Sequence, residues 1–153
     1  MICVNEAREI ALKVLHDVTF KKAYSNISIS HFFESHNLNA MDRAFITNIV
    51  YGTLKNIILI DNIISKYSKL PIKKISPWIL NILRMGIYQV AFLDKVPHWA
   101  NCNECVNLAK KYGHKISAGF VNALLRKIIK EKNNIFLILD NCNFVKRLSL
   151  KYS

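Results

Sequence analysis

The stretch SPWILNILRMGIYQVAFL, residues 76–93, decides the fold. Ser76 followed by Pro77 is a helix start: a side-chain acceptor at the cap, then the residue whose missing N–H is no loss in a first turn. From Trp78 to Leu93 the chain is apolar nearly all round, with Arg84 as its one formal charge. A helix with no polar face belongs at the centre of a larger body, so the remaining segments must wrap around it.

Those segments carry helical spacing on both sides. Upstream, Val4, Ala7, Ile10, Ala11, Val14, Leu15 and Val18 recur every three or four residues, one apolar stripe. Ser25 and Ser28 precede a short amphipathic run over 29–36. Asn39 is a cap for a pattern through Phe45, Ile46, Ile49, Val50 and Leu54. That pattern continues through Ile57, Ile60, Ile63, Ile64 and Tyr67, which predicts one long helix or two with a kink, ended by Pro71. Downstream, Val96-Pro97 breaks the central helix, a further helix covers 99–112 before Gly113, and a last strong one covers 117–129. No run alternates with period two for long enough to demand a strand. The expectation is an all-α bundle of six or seven helices over residues 1–133. Residues 134–153 are weakly patterned and end without a helix stop signal, as in a chain that stops mid-pattern.

Composition narrows the class further. Hydrophobic residues make up 52% of the 153, with 4 Gly and 3 Pro, which excludes a disordered or fibrous chain. No stretch reaches ~18 consecutive apolar residues, so no membrane span is expected. Glu6, Arg8 and Glu9 near the start are unlike a secretory signal. The four cysteines, Cys3, Cys102, Cys105 and Cys142, are too sparse for a secreted disulfide framework and read as reduced thiols in a cytoplasmic protein. The net charge of +12 is lopsided: residues 1–70 hold 8 Lys/Arg against 6 Asp/Glu, residues 71–153 hold 14 against 4. A field of that shape attracts a polyanion, because each phosphate neutralised releases condensed counterions. A bias toward Lys in solvated positions accounts for part of it.

Motifs for chemistry are scarce. Cys102 and Cys105 form a C-x-x-C with His98 four residues before it. Zinc would need a fourth ligand, from Cys3, His114 or Cys142, and usually a second C-x-x-C. Burial of both thiols as small hydrophobes is the expectation, and no metal site. The five histidines pair with no nucleophile elbow, and the four glycines are isolated, so neither an active site nor a phosphate-cradling loop is visible. Gly52 and Gly86 lie within helical patterns, where close approach of a neighbouring helix would offset their propensity cost of about 1 kcal/mol. The candidate nucleic-acid-binding residues, placed to reach phosphates, are Lys73 and Lys74 before the central helix, Lys110 and Lys111, and Arg126, Lys127 and Lys130 on the last helix. Arg84, in apolar surroundings, and Asp42 and Arg43 beside Phe45 are expected to serve structural ion pairing.

Several segments jointly resemble one family. Asp42-Arg43-Ala44-Phe45 with Tyr51-Gly52-Thr53-Leu54-Lys55, Leu83-Arg84-Met85-Gly86-Ile87-Tyr88-Gln89, Val96-Pro97 with Asn103-Glu104-Cys105-Val106, and Gly119-Phe120-Val121-Asn122-Ala123-Leu124-Leu125-Arg126 are similar to stretches of the RsmB (Sun/Fmu) 16S rRNA cytosine-5 methyltransferases. They fall in the family's order over about residues 5–130, the NusB-like N-terminal part of those enzymes. Departures are Lys55 in place of Arg, Trp99 in place of the usual His, and Cys102 and Cys105 where the family has Val and Ala. The resemblance implies a NusB-like bundle that docks 16S rRNA, with residues 134–153 as the start of a linker toward a C-terminal methyltransferase domain in cis. S-adenosylmethionine would belong to that further domain, and no cofactor or catalytic residue to this chain. The alternatives are a stand-alone NusB-type transcription antitermination factor, binding RNA together with a ribosomal protein, and a protein–protein module whose basic face meets an acidic partner.

Overall fold

The structure, a computed structural model, describes residues 5–135 and 137. Cys3, Cys142 and residues 138–153 of the expected linker lie outside the described residues. The described residues include α1 Glu6–Thr19, α2 Ser25–Ser35, α3 Ala40–Lys55, α4 Ile57–Tyr67, α5 Pro77–Phe92, α6 His98–Tyr112 and α7 Lys115–Lys130. A short 3-10 turn, Ile72–Lys74, leads into α5. No strand occurs among the described residues, so the chain is all-α as its periodicity predicts.

Two caps are made as the side-chain chemistry dictates. Asn5 Oδ1 accepts from the Arg8 N–H at 3.0 Å, and Asn39 Oδ1 from the Asp42 N–H at 2.8 Å. Ser76 holds the cap position in extended backbone, but its hydroxyl bonds to no amide. The segment 40–67 is two helices rather than one. Asn56 turns its side-chain amide back onto the Gly52 carbonyl at 2.8 Å, and its backbone leaves helical dihedrals (φ −109°, ψ 17°). An Asn side chain that competes for local backbone acceptors is a sufficient cause for that break.

Every residue of α5 from Ile79 to Ala91 is buried, and the helix packs against α1, α3, α4, α6 and α7. Close approach explains two glycines. A Cβ on Gly86 would lie 3.1 Å from both Cys105 Sγ and a Leu125 methyl, and one on Gly52 would overlap the Tyr88 ring. Polar groups buried with α5 are bonded: Gln89 accepts from Arg8 Nε at 3.0 Å and Asn101 donates to the Gly86 carbonyl at 2.9 Å. The chain past α7 turns helical again, and Ile135 is buried.

Candidate nucleic-acid interface

Helices α6 and α7 form an antiparallel hairpin, which separates the cationic residues into two groups. Lys110 and Lys111 close α6 beside the start of α7. Arg126, Lys127 and Lys130 lie near the other end, where α7 passes the first turns of α6. At 1.5 Å per residue those ends are roughly 20 Å apart.

The end that carries Lys110 and Lys111 holds a row of rings that links α1, α5 and α6. Phe20 stacks on His16 at 5.5 Å, His16 on Trp78 at 3.7 Å with planes 7° apart, and Trp78 on Tyr112 at 4.6 Å. Lys73 and Phe20 line one open cleft of about 560 Å³, which places the 3-10 turn at one end of the row. Lys111 and Tyr112 stand at the other. Exposed Lys73, Lys74 and Lys110 have no carboxylate partner among the described residues, so their charge is available to a ligand. Lys111 is committed: its Nζ lies 2.5 Å from Glu9 Oε1, which also accepts from the Tyr112 hydroxyl at 2.6 Å. Burial raises the Glu9 pKa, but the bonds from Lys111 and Tyr112 more than offset it, and the carboxyl sits below its ordinary range. Burial, reinforced by Lys21, lowers the His16 pKa, so at neutral pH the row stacks on an uncharged imidazole.

At the other end, Arg126 is exposed and reaches the Cys102 thiol, while Lys127 lies over the Tyr67 ring at 6.0 Å and Lys130 faces solvent. The residues expected to form structural ion pairs divide as well. Arg84 makes a two-pronged pair with Asp61 (2.8 and 2.9 Å) and a third bond to Asn81 at 3.1 Å. Asp42 and Arg43 form no ion pair among the described residues. Asp42 occupies the first turn of α3, and Arg43 lies over the Phe33 ring at 5.6 Å. A guanidinium does cover Phe45, at 5.1 Å, but it belongs to Arg8.

The two thiols of the C-x-x-C point inward. Burial pushes the Cys105 thiol up to about 12, and its S–H lies 3.4 Å from Asn101 Oδ1. Among the described residues no group of three or more His, Cys, Asp or Glu converges as metal ligands. No helix of the described residues is long and apolar enough to cross a membrane.

The geometry defines a class: a small helical bundle with lysines free of carboxylate partners beside a row of stacked, partly buried rings, a surface suited to a polyanion. The chain belongs to the NusB family, whose model matches residues 5–130. It is 39% identical over 124 residues to the probable ribosomal RNA small subunit methyltransferase B of Bacillus subtilis (strain 168), covering 81% of this chain and 28% of that protein. It is 37% identical over 127 residues to the transcription antitermination protein NusB of Acetivibrio thermocellus, covering 82% of this chain and 88% of that one. Among solved structures, that of antitermination factors NusB and NusE in complex with dsRNA matches with a TM-score of 0.75 and 27% identity, over 81% of this chain and 93% of that one.

Proposed function

We propose that this chain is an RNA-binding domain of the antitermination type, and that RNA lies across the row of rings between Lys73–Lys74 and Lys110. The carrying observation is the juxtaposition of unpaired lysines with the stack His16, Trp78 and Tyr112. Lysines there neutralise phosphate without reading sequence, and the partly exposed ring row beside them offers apolar contact to the sugars of the backbone. Similarity to a NusB solved with NusE and dsRNA supports this reading, and it makes a NusE-like protein the expected partner.

A second reading is favoured by the 39% identity to a methyltransferase: the same surface would dock 16S rRNA for a catalytic domain in cis. On that reading the methyl donor S-adenosylmethionine and the chemistry belong to the further domain. Both readings place RNA on this chain. They part on the partner, since only the first expects RNA affinity to rise when a NusE-like protein is added.

The test compares two double variants for binding of a 16S rRNA fragment. Lys73→Glu with Lys74→Glu should weaken binding roughly tenfold or more, through lost phosphate contacts and added repulsion. Arg126→Glu with Lys127→Glu, at the far end of the hairpin, should cost less. Native affinity in both would remove RNA from these surfaces.

A further inference from the structure

A cleft of about 530 Å³ opens between the first turns of α6 and the C-terminal half of α7. One wall is the Trp99 indole, 76% exposed. Arg126, Asn103 and Asn122 stand around it. An isolated exposed apolar ring needs no explanation, but this one flanks a cleft in which Arg126 and the amides of Asn103 and Asn122 stand beside the apolar Val106 and Ile129.

The polar groups are prepared in a specific sense. Cys102 Sγ donates to Asn122 Oδ1 at 3.4 Å, which holds the amide oxygen inward and leaves the amide N–H groups as donors. No carboxylate pairs with Arg126 among the described residues. A flat π-surface, amide donors and a guanidinium with no carboxylate partner together match one ligand chemistry: an unpaired base, its edge, and the phosphate beside it. A protein surface could also use Trp and Arg, but the strong positive charge of residues 71–153 favours the polyanion.

We propose that the α6–α7 cleft holds an unpaired nucleobase of RNA, stacked on Trp99, with Arg126 on the adjoining phosphate. This rests on the RNA-binding reading above and adds a selectivity to it. A duplex keeps its bases stacked on one another and offers this cleft only backbone. The site therefore prefers single-stranded segments, whereas the rings and lysines at the far end of the hairpin accept backbone of either kind.

The test titrates the chain with a short unstructured RNA and with the same RNA annealed to its complement, following affinity and tryptophan emission. Single-stranded RNA should quench the emission, and Trp99→Phe should lose most of that quenching, the remainder reporting Trp78. Trp99→Ala should bind the single strand roughly tenfold more weakly and the duplex as the parent does. Arg126→Gln should weaken the single strand more than the duplex. Because Trp99 is mostly exposed, its variants should melt with the parent. Duplex binding by the parent, with unchanged single-strand affinity in Trp99→Ala, would overturn the nucleobase site, leave the RNA-binding reading standing and assign the cleft to a protein surface. An equal loss on both RNAs would also overturn it. Absence of all binding at low salt would remove both claims.

Discussion

At the residue scale, glycine shows how identical substitutions take opposite signs. Gly52 sits in α3 beneath the Tyr88 ring, whose hydroxyl donates to Asn48. Ala there would gain helix propensity of about 1 kcal/mol, but its methyl overlaps a ring already buried, and overpacking of that kind typically costs 1–3 kcal/mol. Gly119 in α7 is exposed and has nothing within 4 Å of an added Cβ. Urea unfolding should therefore show Gly52→Ala destabilised by about 1 kcal/mol or more and Gly119→Ala stabilised by about 1 kcal/mol. A stabilised Gly52→Ala would mean that Tyr88 yields freely. Elsewhere the residue readings depended on reach. Arg84 in an apolar helix demanded a partner, but nothing near it in the chain pointed to Asp61, 23 positions away. Asp42 and Arg43, expected to serve structural ion pairing beside Phe45, have no ion-pair partner among the described residues, and Arg43 lies over the Phe33 ring instead.

At the element scale, the clamp of Glu9 by Lys111 and Tyr112 fastens α1 to the end of α6. The folded carboxyl lies below its ordinary value of 4.5, so its contribution is complete above that pH and is lost as pH falls through the lowered value. Thermal melts should show the wild type losing more stability than Glu9→Gln between about pH 5 and about pH 3. Parallel profiles would show that the clamp contributes nothing. Most elements were legible because their signals are local: the caps at Asn39 and Ser76–Pro77, the apolar stripes, and the break at Val96-Pro97. The 3-10 turn at Lys73–Lys74 was not, since three residues carry too short a pattern. The split at Asn56 stayed open between one helix and two, because both keep the same apolar spacing.

At the scale of the whole molecule, the candidate surface was only half legible. Charge asymmetry marked the Lys pairs, yet the row of His16, Phe20, Trp78 and Tyr112 is assembled from three helices far apart in sequence. No one of these rings carries a signal of its own in the sequence. The sequence also offered no sign that the hairpin of α6 and α7 would carry its cations to opposite ends, which splits one basic face into two separated groups. Residues 71–153 hold most of the net charge, and in the fold that half supplies both ends. Two separated groups imply that a long RNA engages more of the surface than a short one.

The measurement that tests the central claim most directly is the affinity of this chain for a labelled 16S rRNA fragment across a series of salt concentrations, with tRNA as competitor. The account predicts a steep linear fall of log affinity with log salt, and binding that excess tRNA reduces but does not abolish. An affinity independent of salt, or no binding at low salt, would contradict it.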